Sequence, residues 1–367
     1  MKKIIFGKCY AFSCDASLQA PLAESLSLYA DAAGREPEVN IRIGDAVTAR
    51  RPTAINPRVH EVFEHGMRTV FPSVDVCWER SGDGRLNVEV AIRRRRGIRR
   101  VVHKLLSMEY ARETEAFEQI LHELVLVPSV YFFDDMVPIH ASAVTIGDSA
   151  CLLAGTGGAG KSSAMLALRN HPDASFVSDD IVVMSDTGRV HGNMAWPKIY
   201  GYNCAGNQMK DELLAGRGWI DRAHFAIKNR ANPASVRRKM SPDRLYSSVD
   251  SASAPLSRLY YAVREDVPDI RLSRLSLANV VDMTIAVVSA EYSVFHDHLY
   301  WEKYNALATA RTAMLTMEEV AANWRRVLSD SLAAVGCFKI SIPLKVDHAT
   351  YQQRVTDIIT SGMAATP

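Results

Sequence analysis

Alternating apolar and polar positions predict that the first hundred residues are rich in β-strands. Within Leu86–Ile92 every second residue is apolar, and Asn87 and Glu89 lie between them, which is the period of a strand with one buried face. An apolar run at residues 74–79 precedes it, and the sequence Ser-Gly-Asp-Gly at residues 81–84 separates the two. Two such runs around a glycine turn indicate a β-hairpin.

The N-terminal residues 1–6 are predicted to form a first strand rather than a signal peptide. They start with basic residues and a short apolar run, as signal peptides do. However, Lys8 and Asp15 interrupt the apolar run, and no suitable cleavage region follows.

Further along the chain the apolar period becomes that of a helix. Apolar residues recur at spacings of three or four between Phe117 and Leu124, which predicts a helix over residues 113–126. From about residue 138, short buried strands with glycine turns are typical of α/β nucleotide-binding domains. Later elements are predicted as helices over residues 277–288, 303–314 and 318–334, a strand over 337–342 and a helix over 349–360.

The composition predicts a sizeable hydrophobic core, and the net charge of the chain is close to zero. The chain has 367 residues, of which 48% are hydrophobic, and its 43 Lys and Arg against 41 Asp and Glu give a net charge of +2. The length suggests two domains, and the net charge gives no reason to expect a nucleic-acid or membrane partner. The apolar runs are too short to span a membrane. None of the six cysteines forms a Cys-x-x-Cys pair, which indicates reduced thiols and a cytoplasmic location.

One stretch departs from this balance, because residues 93–100 contain six arginines in eight positions. Two interpretations remain open: a solvated turn after a strand, or a docking patch for an acidic segment of a partner. Nucleic acid is the less favoured partner, because no aromatic residues interleave with the arginines.

The strongest chemical signal is Gly-Thr-Gly-Gly-Ala-Gly-Lys-Ser at residues 155–162, which fits G-x-x-x-x-G-K-[ST] at every fixed position. A short apolar strand precedes it and a helix-forming run follows. Glycines let backbone N–H groups surround phosphate oxygens, and the helix N-terminus adds positive potential. Lys161 is expected on the β- and γ-phosphates of ATP and Ser162 on Mg²⁺. The predicted nucleotide-binding residues are Gly155, Thr156, Gly157, Gly158, Ala159, Gly160, Lys161, Ser162 and Ser163.

Two adjacent carboxylates follow, with Asp179 lying 18 residues beyond Lys161. Asp179 and Asp180 have little apolar sequence before them and an apolar run at residues 181–184 after them, so we expect them in a loop before a strand or at its start. Beside a nucleotide, one carboxylate can accept the proton of an attacking hydroxyl while the other supports Mg²⁺ or orients Lys161. We assign the base to Asp179, although the sequence leaves the two roles interchangeable.

This set of residues resembles the catalytic domain of the HPr serine kinase/phosphorylase family, which is related to phosphoenolpyruvate carboxykinase. That family has a histidine at the start of the strand before the phosphate-loop strand, and His140 matches it. The resemblance covers residues 136–205, about a fifth of the chain. It implies that His140 orients Asp179 or the γ-phosphate.

The resemblance alone assigns four further positions. Lys198 is expected to steady phosphate oxygens, with an exposed strand residue as the alternative. Asn203 lies where bifunctional family members have a metal-binding glutamate, which weakens the case for phosphorylase activity. Arg237 and Arg238 are candidates for a transition-state cation or for a solvated loop. The expected Mg²⁺ ligands are Ser162, Asp180 and Asn203.

The predicted fold class is α/β (α+β), with a phosphate-loop core like that of HPr kinase and phosphoenolpyruvate carboxykinase. Residues 1–105 form a β-rich region with a candidate role in acceptor recognition, and residues 106–367 form a catalytic domain that ends in helices.

The expected function is ATP- and Mg²⁺-dependent phosphorylation of a Ser or Thr hydroxyl on a peptide or small protein. The nearest resemblance is to the HPr-kinase-like proteins of lasso-peptide biosynthesis clusters. The alternatives are a kinase of a sugar or amino acid, and a module that senses ATP without transfer. Oligomeric state stays open.

Overall fold

The computed structural model describes residues 1–93, 102, 104–204 and 207–364, and the strands before residue 93 form one sheet. Its order is β1-β2-β3-β8-β7-β6-β5-β4. The strands are β1 Lys2–Ile5, β2 Lys8–Cys14, β3 Val39–Gly44, β4 Ala54–Asn56, β5 His60–Val62, β6 Gly66–Val70, β7 Val74–Arg80 and β8 Leu86–Ile92. β2, β3 and β8 run parallel to one another, and the other neighbours pair antiparallel.

The second sheet is built from later strands and contains the glycine-rich loop. Its main path is β12-β10-β11-β17-β14-β13-β9, and β19 pairs with both β17 and β18. The strands are β9 Met136–Ile139, β10 Ala141–Ile146, β11 Ser149–Ala154, β12 Ala174–Ser178, β13 Val182–Ser185, β14 Arg189–Gly192, β17 Ala254–Glu265, β18 Arg271–Arg274 and β19 Gly336–Pro343. β11, β17 and β19 are parallel. A separate antiparallel ribbon pairs β15 Lys198–Tyr200 with β16 Arg237–Lys239.

Helices cover the sheets and connect their strands. They are α1 Gln19–Ser25, α2 Glu113–Leu121, α3 Lys161–Leu168, α4 Asn207–Leu214, α5 Trp219–Ala231, α6 Leu277–Glu291, α7 Ser293–Ala308, α8 Met317–Ser331 and α9 His348–Ala364. A π-helical turn, His122–Leu126, continues α2, and short helical turns occur at Val127–Ser129 and Pro242–Leu245. The structure is therefore of mixed α and β class, as predicted.

One hydrophobic core joins the two sheets. The fully buried Trp78 of β7 stacks on Phe132, with ring centroids 5.2 Å apart, and meets Phe295 of α7 edge-on at 5.7 Å. Nearby, the buried His60 of β5 lies 3.3 Å from the buried Glu302 carboxylate of α7. Helix α7 thus ties the first sheet to the layer that supports the second.

The structure confirms the β-strand predictions for the N-terminal region. Residues 2–5 are a strand, and β7 and β8 form the expected antiparallel hairpin from Val74↔Ile92 to Arg80↔Leu86. Of the arginine-rich stretch at residues 93–100, the structure describes only Arg93, which forms an ion pair with Asp75. Residues 94–100, and with them the choice between a solvated turn and a docking patch, lie outside the described residues.

The helix predictions are mostly confirmed, with one clear error. The helix expected over residues 303–314 is in fact Ser293–Ala308, and residues 309–316 form a turn and loop. The reason is that the buried face of this helix mixes apolar residues such as Phe295 and Leu299 with the polar residues His296, His298 and Glu302, so its apolar periodicity is weak. Among the described residues no single helix is long and apolar enough to cross a membrane.

Candidate active site

The glycine-rich loop, residues 155–160, connects β11 to α3 in a backbone conformation that favours glycine at both ends. Gly155 has a φ of 143°, and a Cβ there would lie 2.6 Å from the carbonyl oxygen of Ala262. Gly160, at a φ of 106°, caps α3, and a Cβ there would lie 2.5 Å from the Tyr351 ring of α9. Because β11 and β17 are parallel, the loop lies at the carboxyl edge of both strands, where α/β sheets bind ligands.

Lys161, the first residue of α3, folds back on this loop. Its Nζ donates to the carbonyl oxygens of Gly155 (2.8 Å) and Thr156 (3.1 Å) and to Nε2 of His140 (2.8 Å). Since an ammonium group only donates, His140 accepts at Nε2 and carries its proton on Nδ1. Burial lowers the pKa of His140 and also that of Lys161, and nearby carboxylates oppose both shifts.

Asp179 lies in the loop between β12 and β13, as predicted, and is almost fully buried. One helix, α3, and one strand, β12, separate Lys161 from Asp179, and β12 ends one residue before Asp179. Ser142 Oγ donates to Asp179 Oδ1 at 3.1 Å, and Ser162 also hydrogen-bonds this carboxyl. Burial, helped by the charge of Asp180, raises the pKa of Asp179 to about 7.

Asp180 has the opposite electrostatic environment. Its Oδ2 lies 3.6 Å from Lys198 Nζ, and its Oδ1 lies 3.5 Å from His140 Nδ1. Desolvation would raise the pKa of Asp180, but the charges of Lys198, His140 and Lys161 lower it below its ordinary value. Lys198 in turn donates to Glu123 Oε1 at 2.5 Å. Desolvation opposes its charge, but Asp180 and Glu123 together raise the pKa of Lys198.

Glu291, at the end of α6, is a member of the site that the sequence did not reveal. Its Oε1 accepts the backbone N–H of Gly157 at 3.0 Å and lies 4.0 Å from His140 Nε2. It lies 134 residues from Gly157 in the chain, and no motif spacing connects the two. A carboxylate therefore occupies a loop N–H of the kind that binds phosphate oxygens.

A cavity of about 210 Å³ adjoins the loop. The glycine-rich loop forms one wall, and the end of β17 with the apolar side chains Met283 and Val287 of α6 forms the other. Arg264, an exposed cation at the cavity, lies over the Tyr351 ring at 5.9 Å. A cavity lined by the glycine-rich loop, apolar side chains and a cation is suited to a ligand that joins an apolar ring to an anion.

Oxygen donors for a divalent cation are present near the start of α3. Ser162 hydrogen-bonds Asp179, and the next residue, Asp180, is the ionised carboxylate of the pair. The side-chain N–H of Asn203 donates to Ser163 Oγ at 3.2 Å. Among the described residues no group of three or more His, Cys, Asp or Glu is placed to hold a metal. A magnesium ion carried by phosphates needs only one or two protein carboxylates, so this donor set fits Mg²⁺ bound with a nucleotide.

The structure does not bring Arg237 or Arg238 into this cluster. Arg238 is fully buried, and its guanidinium donates to Asp221 Oδ1 at 2.7 Å and to His224 Nδ1 at 3.0 Å. Arg237 donates to the hydroxyl of Tyr200 and forms an ion pair with Glu109. Arg237 is 22% exposed and Arg238 is buried, and both are held by carboxylates. Both interpretations from the sequence are therefore corrected: these arginines anchor the β15–β16 ribbon.

A scan of the sequence against protein-family models finds no match, and a search of curated proteins finds none either. The functional argument therefore depends on the residues and the geometry described above.

Proposed function

We propose that this protein is an ATP-dependent kinase that phosphorylates a Ser or Thr hydroxyl of a peptide or small protein. One observation carries the proposal: Asp179, whose pKa is raised to about 7, hydrogen-bonds Ser162 at the start of the helix that follows the glycine-rich loop. A phosphate cradle and a carboxyl that exchanges protons near neutral pH are the two parts that phosphoryl transfer to a hydroxyl requires.

In the proposed reaction, the acceptor oxygen forms a bond to the γ-phosphorus of ATP while the bond from that phosphorus to the β-γ bridging oxygen breaks. The acceptor proton moves to Asp179, and ADP leaves with the bridging oxygen. Lys161 would exchange the carbonyls of Gly155 and Thr156 for phosphate oxygens, since those neutral contacts are weaker than contacts to an anion. Positioning and charge neutralisation supply most of the acceleration in such a transfer.

Three residues would position Lys161 in this reaction: Asp180, Lys198 and His140. Asp180 remains ionised because it lies beside Lys198, and it faces the Nδ1 side of His140. His140 then presents its other nitrogen to Lys161. The role expected for His140 on the γ-phosphate or on Asp179 is therefore replaced, in this proposal, by positioning of Lys161.

Ser162, Asn203 and the ionised Asp180 are the residues that would hold Mg²⁺, because Asp179 must stay free to accept the acceptor proton. The bound ion would neutralise phosphate charge in the transition state. The fold that we propose for residues 106–367 is the phosphate-loop core resembling HPr kinase. The order of strand, glycine loop, helix and acidic loop supports this fold.

The six cysteines are all unpaired, which supports our placing the activity in the cytoplasm.

The proposal is tested by replacing Lys161 with alanine. The variant is expected to abolish phosphoryl transfer from ATP to serine-containing precursor peptides while keeping the wild-type circular dichroism spectrum. Lys303→Ala is the matched control, since Lys303 forms an exposed ion pair with Glu318. Free serine and sugars in place of the peptides would reveal a small-molecule kinase. ATP binding without transfer to any acceptor would identify an ATP sensor, and wild-type turnover by Lys161→Ala would overturn the proposal.

A further inference from the structure

Helix α5 exposes an apolar stripe on its outer face. Trp219 and Ile227 are 79% and 70% exposed, and Ile220 is 42% exposed. Trp219 and Ile227 are eight residues apart, so they lie on one face about two helical turns from each other. The opposite face of the helix is buried and includes Phe225.

A second apolar segment lies beside this stripe. Residues 105–108 carry Leu105, Leu106 and Met108, which are 44%, 77% and 40% exposed. They are held against α5 by its own side chains: His224 Nε2 lies 3.1 Å from the Leu105 carbonyl oxygen, and Lys228 Nζ donates to the Leu106 carbonyl oxygen at 3.0 Å. The stripe and this segment therefore form one surface, which we call the α5 face.

The charges on the α5 face have a single sign. Arg222 and Arg230 are exposed on α5, whereas its one acidic residue, Asp221, is buried against Arg238. A partner that covers this face must bring apolar side chains for the stripe and carboxylates for the arginines. A lipid surface is less well matched, because basic lipid-binding patches generally hold about four to eight cations.

The β15–β16 ribbon connects the α5 face to the candidate active site. In the ribbon, Arg238 points to one side and binds Asp221 of α5. Lys198, which is paired with Lys239 in register, lies on the other side and contacts Asp180. Neighbouring residues of a strand point to opposite sides, so one two-stranded element holds both the α5 face and a carboxylate of the site.

We propose that the α5 face docks an acidic, apolar segment of the polypeptide whose hydroxyl is phosphorylated. The proposal rests on the proposed function only for the identity of that polypeptide as the acceptor. It places acceptor recognition on a helix after the glycine-rich loop rather than in the first hundred residues.

The docking step can be measured without ATP. The probe is a fluorescent sixteen-residue peptide of leucine and glutamate in a helical amphipathic pattern, followed by anisotropy. Wild-type protein is expected to bind it and to bind a leucine–lysine peptide of the same pattern at least tenfold more weakly. Ile227→Glu should weaken binding of the acidic peptide about tenfold or more. Leu307→Glu is the matched control, because Leu307 is 75% exposed on α7, and it should bind like wild type.

Charge and catalysis are separated by two more variants. The double variant R222E/R230E should weaken binding and flatten its dependence on salt, whereas Lys161→Ala should bind the peptide like wild type. Loss of transfer with intact peptide binding would therefore count against the kinase and not against the docking surface.

Three outcomes would overturn the docking proposal. One is equal binding of the acidic peptide by wild type and Ile227→Glu. Another is a dimer, seen by light scattering, that Ile227→Glu dissociates while peptide binding is unchanged, which would make a second copy the occupant. The third is cosedimentation with phosphatidylserine vesicles, abolished by Ile227→Glu, without peptide binding.

Discussion

At the scale of single residues, Lys198 decides which of two adjacent aspartates carries the negative charge. It contacts Asp180 on one side and Glu123 on the other, and it therefore keeps Asp180 ionised. Asp179 has no comparable partner among the described cations: its carboxyl is buried and takes hydrogen bonds from Ser142 and Ser162. The two roles that the sequence left interchangeable are thus separated by their surroundings.

Asp179→Asn is expected to lower phosphoryl transfer about 10²–10⁴-fold. In the wild type, transfer should rise between pH 6 and 8 because the base must lose its proton near pH 7, whereas the variant should show no such rise. Steady-state rates at matched ionic strength check both outcomes. If Asp180→Asn gives this pattern and Asp179→Asn does not, the roles are reversed.

The same raised pKa makes a prediction about stability. The folded protein holds a proton on Asp179 between about pH 4 and 7 that the unfolded chain has released, so stability from this group is lost as pH rises through 7. Asp179→Asn should therefore raise the melting temperature relative to wild type at pH 8 and change it less at pH 5. Asp180→Asn, which removes a carboxylate paired with Lys198, should lower it at pH 8.

Much of the site was predictable because its residues belong to a local pattern. The loop, Lys161, Asp179 and His140 follow one another within about forty residues and come together through adjacent strands. Glu291 comes from a helix 134 residues beyond Gly157. Only the packing of α6 brings it to the loop, and no spacing rule predicts such a contact.

At the scale of elements, the β15–β16 ribbon shows that three consecutive basic residues, 237–239, can be structural although their sequence suggests a solvated or catalytic loop. Three consecutive cations read as a solvated or catalytic loop, yet each is paired: Arg237 with Glu109, Arg238 with Asp221 and Lys239 with Glu118. The partner carboxylates lie on helices and turns remote in sequence, so the pattern of charges gave no sign that the cations were structural.

Arg238→Met is expected to destabilise the protein by about 3 kcal/mol, because Asp221 Oδ1 loses its buried guanidinium partner and only the pair between Asp221 Oδ2 and Arg217 remains. Urea unfolding measures this change. Arg325→Met is the control, since Arg325 and Asp282 form an exposed pair for which about 0–1 kcal/mol is typical. A catalytic arginine would give another result: Arg238→Met would reduce the transfer rate and leave the unfolding free energy unchanged.

At the scale of the whole molecule, the sequence predicted two regions, and the structure gives each its own sheet but a common core. Trp78 of the first sheet packs on Phe132 and Phe295, and Asn56 accepts a hydrogen bond from Asn305 of α7 at 2.7 Å. A sequence pattern shows which side of a strand is buried but not which distant helix covers it. The shared core therefore had no signature in the chain.

We expect the protein to unfold as one cooperative unit. A fragment of residues 106–367 would expose the surface of Phe132 and Phe295 that Trp78 covers, so it should fail to fold alone. For the full chain, tryptophan fluorescence and circular dichroism should report the same urea midpoint. Two separate transitions, or a soluble fragment with wild-type affinity for ATP, would show that the two regions are independent.

Because the Glu291 carboxylate accepts the N–H of Gly157, an anion that binds the glycine-rich loop must first displace this carboxylate. An apparent dissociation constant equals the intrinsic one divided by the fraction of molecules that are ready to bind. Here the fraction of molecules that are ready to bind is set by the Glu291 contact and is the same for every anionic ligand. Glu291→Ala should therefore tighten ATP, ADP and inorganic phosphate by a common factor, which isothermal titration can compare. Unequal gains would mean that Glu291 contacts the nucleotide itself.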